Sequence, residues 1–112
     1  MTTMRVSFNA VATATLKENA RVLVVLQDGV LRVKPSERDD PNEVTSALHR
    51  SGTSAYFTLT DKQQKRLQHL HGKMTTKVGD RIAFEIAPYR WLNPTVVNEV
   101  VLGAPMVTVR KN

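Results

Sequence analysis

The chain has 112 residues, 41% of them apolar, with six aromatics, no cysteine and a formal charge of +6. That length supports one core and no second domain, and with so few aromatics the core must rest on Val, Leu, Ile and Ala. The missing cysteines exclude disulfides, zinc fingers and thiol nucleophiles, no apolar run reaches the ~18 residues of a membrane span, and the positive balance favours a polyanion or an acidic protein as partner.

Met4, Val6 and Phe8 alternate with Arg5 and Ser7, which predicts an opening strand. A turn near Asn9-Ala10 leads to VATATL, small and β-branched, which predicts a second strand over 10–16, followed by a polar turn at Lys17-Glu18-Asn19. The N-terminal stretch lacks the continuous apolar block of a signal peptide, so a cytoplasmic location is expected. Arg21–Gln27 and Val30–Pro35 flank Asp28-Gly29, the two-residue signature of a type I′ hairpin. The implied register sets Gln27 against Val30, Leu26 against Leu31, Val25 against Arg32 and Val24 against Val33. One face of that ribbon is then wholly apolar: Val22, Val24, Leu26, Leu31 and Val33.

PSERDDPN (35–42) is an acidic, turn-rich break. Asp40-Pro41-Asn42-Glu43 matches a helix start, so 41–50 reads either as a short helix ending at Gly52 or as a loop. Ala55, Phe57 and Leu59 alternate with Ser54, Tyr56 and Thr58 as a strand. A helix follows from Thr60, whose capping box is completed by Gln63, and Gly72 ends it. On a wheel, Lys62, Arg66, His69 and Lys73 fall within about 40° of one line, with Lys65 beside them. Gln63, Leu67, Leu70 and, if the helix reaches it, Met74 form the opposing stripe. Asp61 is the one acid at helical spacing from the basic line. Val78-Gly79-Asp80 turns the chain into an alternating strand over Arg81–Ile86. Val96–Leu102 fits a helix or a strand, and Met106–Arg110 alternates as a last strand.

Charge is uneven along the chain. Residues 1–49 hold six basic and six acidic side chains, whereas 50–90 hold eight Lys/Arg against three acids. No G-x-S-x-G, H-E-x-x-H, Walker loop or dinucleotide turn is present, so the sequence reads as a non-enzymatic protein with no metal site and no cofactor. The expected nucleic-acid contacts are Lys62, Lys65, Arg66, His69, Lys73, Lys77, Arg81 and Arg90. Tyr56, Tyr89 and Trp91 are candidates for base stacking; the competing reading, favoured for Trp91, is that Trp91 and Tyr89 cover the edge of a small core that lacks other large residues.

Phe57-Thr58-Leu59-Thr60, Gln63 with Leu67, and Val78 to Ile86 (VGDRIAFEI) together resemble the AbrB/MazE/SpoVT group of swapped-hairpin DNA-binding domains, over about a third of the chain. The resemblance implies an intertwined homodimer whose strands present basic residues to duplex DNA. The expected fold is a single mostly β domain with one or two short helices, a small antiparallel barrel or sandwich. The expected function is DNA binding, regulatory or sequence-tolerant, through the basic strand-helix-strand surface. Two alternatives share its charge signature: a protein-interaction module gripping an acidic partner, and single-strand binding on an open barrel.

Overall fold

The computed structural model describes residues 3–16, 21–36, 38–87, 90–92 and 105–111. Among the described residues nine strands and two helices follow the order β1 (Met4–Phe8), α1 (Ala10–Thr15), β2 (Arg21–Gln27), β3 (Val30–Ser36), β4 (Val44–Ala47), β5 (His49–Ser51), β6 (Ser54–Leu59), α2 (Asp61–His71), β7 (Ala83–Ala87), β8 (Arg90–Leu92) and β9 (Val107–Lys111). The strands form two sheets, β5-β6-β1-β9 and β4-β2-β3-β7-β8, antiparallel throughout except for the parallel pair β3 and β7. The fold is therefore mostly β with two short helices, as expected. The two sheets face one core and do not close into a barrel.

The alternation read from the sequence sets the inward faces. Met4, Val6 and Phe8 of β1, Ala55, Phe57 and Leu59 of β6, and Val107 and Val109 of β9 are buried from one sheet. Val22, Val24, Leu26, Leu31, Val33 and Phe84 are buried from the other. Phe8 joins the layers, meeting Phe57 at 6.0 Å and Phe84 edge-on at 6.4 Å between ring centroids. The β2–β3 hairpin has the predicted register over its whole length. Positive φ at both Asp28 (53°) and Gly29 (84°) is the backbone a type I′ turn needs.

The chain changes sheets between β1 and β2, β4 and β5, β6 and β7, and β8 and β9, and two of these crossings run through described residues alone. Leu48 separates β4, which pairs with β2, from β5, which pairs with β6. The second crossing lies at 79–84. Gly79 N donates to Val109 O (2.8 Å), Val109 N to Asp80 O (2.8 Å) and Ile82 N to Val107 O (3.0 Å), so this stretch first covers the side of β9. Ala83 and Phe84 then pair with Arg32 and Val33 of β3. The expected alternating strand over Arg81–Ile86 thus begins later, at Ala83. Ile82, Ala83 and Phe84 are all buried because the crossing backbone leaves one sheet for the other.

Three further expectations are corrected. Residues 10–16 form helix α1 instead of a strand. Asn9 caps it, its side chain accepting from Ala12 N (2.9 Å), and alanines at 10, 12 and 14 favour the helix. The β-branched threonines that suggested a strand turn their hydroxyls back on the helix: Thr13 donates to Asn9 O (2.8 Å) and Thr15 to Ala12 O (2.6 Å). Over 41–50 there is neither a helix nor a plain loop. Asp40 closes a turn, its carboxylate accepting from Asn42 N (2.9 Å), and Val44 and Thr45 continue as strand β4. In α2 the buried glutamine is Gln64, whose amide donates to Leu59 O (3.1 Å), while Gln63 serves the capping box and Leu70 is 42% exposed. Lys17-Glu18-Asn19, Pro88-Tyr89 and the ambiguous 96–102 segment lie outside the described residues. Among the described residues no helix is long and apolar enough to cross a membrane.

Candidate nucleic-acid interface

The basic residues picked out in the sequence fall into separate groups. Helix α2 forms where predicted, with both capping-box bonds present: Gln63 N to Thr60 Oγ1 (3.2 Å) and Thr60 N to Gln63 Oε1 (2.8 Å). Leu67 and Gln64 anchor one side in the core, leaving Lys62, Lys65, Arg66 and His69 exposed on the other. Two of these already have partners in the chain. Lys65 lies 3.2 Å from Asp61, one turn back, and its ammonium holds the Asp61 carboxyl below the ordinary carboxylate range. Arg66 donates to the carbonyl of Pro41 and so fastens α2 to the 38–43 turn.

His71, the last residue of α2, makes a second fastening that sequence reasoning missed, with Nε2 3.1 Å from Glu43 Oε2. The two residues are 28 apart, and no local signal joins them. Within the same turn Thr45 donates to Asp39 and accepts from Arg21 (3.0 Å). The Thr45 hydroxyl lowers the Asp39 carboxyl pKa. Lys73 lies past the Gly72 cap, so it leaves the helical line on which the wheel sets it. Lys73 and Lys77 are exposed on the connection from α2 to the crossing segment.

A second group lies on the outer face of the β5-β6-β1-β9 sheet. Residues directly opposite in antiparallel strands project to the same side. Arg81 faces Thr108 in an isolated bridge, Thr108 faces Ser7, Ser7 faces Tyr56, and Tyr56 faces His49. The neighbouring row sets Arg110 opposite Arg5 and Arg5 opposite Thr58. Three arginines therefore share one face, although they come from the two ends and the middle of the chain. None of the four strands contains an Asp or Glu. Arg5 and Arg110 are directly opposed in the ladder, a like-charge pairing of the kind that costs stability.

Tyr56 stands at the centre of this face. His49 stacks beside it, with ring centroids 5.2 Å apart and planes 23° from parallel. On the other flank the Arg5 guanidinium carbon lies 4.2 Å from the Tyr56 ring centre, a cation–π contact. A groove of about 380 Å³ runs past Tyr56 between Arg5 and Arg110, floored by Ser7, Thr108 and Asn9. A larger groove of about 500 Å³, beside Leu23 and Lys34, is lined by Arg38 but also by Asp39 and Asp40, so its charge is mixed.

The structure thus brings together Tyr56 and Arg81 from the sequence-based set and adds Arg5, Arg110 and His49. Arg90 and Trp91 have their backbone in β8, on the other sheet, with Trp91 opposite Glu85. Tyr89 lies outside the described residues. Among the described residues no group of three His, Asp or Glu side chains could hold a metal ion. Comparison with protein-family models, with curated proteins and with solved structures finds no match.

Proposed function

We propose that the protein binds nucleic acid, with the outer face of the β5-β6-β1-β9 sheet as its main contact surface. The observation that carries this reading is the outer face of four strands that contain no Asp or Glu, on which Arg5 and Arg110 are directly opposed and beside which Arg81 bridges to Thr108. A folded domain that opposes two arginines directly gains when an anion sits between them, and a phosphate backbone offers such anions in series. Lys62 on α2, with Lys73 and Lys77 after it, forms a separate group of point charges for phosphates, on a helix that packs against β2 and β4 of the other sheet. The homodimer implied by the AbrB-type resemblance belongs to the same proposal. The outer strands it would pair, among the described residues, are β4, β5 and β8.

The test is binding to duplex DNA, single-stranded DNA and heparin across a salt series, followed by anisotropy. In the Arg5→Glu/Arg110→Glu double variant, the slope of log K against log salt should fall by about 0.7–0.9 for each phosphate that the protein no longer neutralises. Its melting temperature should fall only slightly, because one like-charge pair replaces another and the loss is that of the Arg5–Tyr56 cation–π contact. A Lys62→Glu variant should weaken all sequences alike. If the wild type has no affinity for any of the three polyanions near ~150 mM salt, the acidic-protein reading replaces this one.

A further inference from the structure

Resting on the nucleic-acid reading above, we infer that this sheet face takes a single strand, with His49, Tyr56 and Arg5 forming a ledge on which an unpaired base stacks. The three groups are already arranged for it. Tyr56 holds an imidazole on one flank at 5.2 Å and a guanidinium on the other at 4.2 Å, so it props both groups upright and leaves their outer sides as the surfaces on which a base stacks. In a duplex the base faces are covered by neighbouring bases, so phosphates and groove edges are all it presents, and these π surfaces would have no use. A single strand offers both a base face and a phosphate for each nucleotide.

The dimensions agree. The row from His49 through Tyr56, Ser7 and Thr108 to Arg81 crosses five backbone segments, about 19 Å at the usual spacing near 4.8 Å. A strand lying along this row would place a base on the ledge at the His49 end and its phosphates toward Arg5, Arg110 and Arg81. The groove of about 380 Å³ beside Tyr56 is within the ~300–1,000 Å³ range of small-ligand clefts, enough to admit an unstacked base. The hydroxyls of Ser7 and Thr108 along the groove can donate to phosphate oxygens.

Base stacking is separated from charge by comparing two probes of equal charge: an oligothymidylate of about twelve nucleotides and an abasic sugar-phosphate oligomer of the same length. The wild type should bind the thymidylate about tenfold more tightly than the abasic strand, and more tightly than duplex of the same length. Tyr56→Leu, which keeps the bulk of the side chain, and His49→Ala, at an exposed position, should each reduce that preference several-fold. Neither should change affinity for the abasic strand by more than about twofold. Tyr56→Phe should retain the preference. Equal binding of the two single strands, or a preference that survives both Tyr56→Leu and His49→Ala, overturns the ledge and leaves only charge-driven binding. Tighter binding to duplex overturns the single-strand assignment. Failure to bind any of the probes sinks the nucleic-acid reading itself.

Discussion

Gly29 shows how much a single residue can settle. Its φ of +84° completes the type I′ turn, and the turn fixes the register of β2 and β3. It also receives the chain returning from α2. Thr75 N donates to Gly29 O (2.7 Å), and a Cβ at position 29 would sit 2.9 Å from the Thr75 side chain and 3.1 Å from the Lys73 carbonyl oxygen. Gly29→Ala therefore meets both a strained backbone and a crowded neighbour. It should cost about 1–3 kcal/mol, read as a lower urea midpoint with an unchanged slope. Asp28→Gly, at φ 53° with no such neighbour implicated, should lie within about 1 kcal/mol of wild type. The Asp-Gly signal makes this turn legible in the sequence. The arginine face is not legible there, because Arg5 and Arg110 are at opposite ends of the chain and share a side only through the β1–β9 pairing. Alternation within each strand marks them as outward-facing, but no local pattern pairs the first strand with the last.

The two helices mark the limits of local reading for elements. Helix α2 is legible because its cap, its stop at Gly72 and its anchor at Leu67 are all local. Helix α1 is not, because its threonines count toward a strand until their hydroxyls are seen to bond backwards. The 38–43 turn misleads because an Asp-Pro-Asn-Glu start needs helix formers after it, and Val44-Thr45 pair with β2 instead. That turn and α2 each carry a carboxyl, Asp39 and Asp61, held below the ordinary 3.8 by Thr45 and Lys65 respectively. A carboxyl whose folded pKa is depressed stabilises the fold above its unfolded value, and the effect disappears as pH falls through the folded one. Both groups are at the surface, so the effect is small and screened by salt. The melting temperature should begin to decline as pH drops below about 3.8, and the decline should be shallower in the Asp39→Asn/Asp61→Asn double variant. An identical acid limb in both proteins, at low ionic strength, would remove these two groups as contributors.

Across the whole molecule, the hairpin, β1, β6 and β9 can be read as elements, but their assembly into two sheets cannot. Assembly depends on the crossings at Leu48 and at 79–84, where the chain leaves one sheet for the other and alternation stops being informative. The second crossing also covers β9, which would otherwise be an open edge. What the assembled core demands is specific. Val24 and Leu31 are fully buried and Leu26 is 6% exposed, all on the hairpin's inner face, while Arg32 on the outer face is half-buried. Val24→Asp places a carboxylate among apolar side chains with no cation in reach on that face, and it also removes two methyl groups from packing. Burying an unpaired charge costs several kcal/mol, comparable to the ~5–15 kcal/mol of total stability a domain commonly has. Leu26→Asp, nearer the turn, should cost somewhat less, because a small shift of the hairpin tip can return its carboxylate to water. Arg32→Gln keeps a polar, hydrogen-bonding side chain on the outer face and should be far milder. Circular dichroism at 25 °C should find Val24→Asp largely unfolded, Leu26→Asp destabilised and Arg32→Gln near wild type. If Val24→Asp and Arg32→Gln melted at similar temperatures, Val24 would not face the shared core, and the arrangement of the two sheets around it would be wrong.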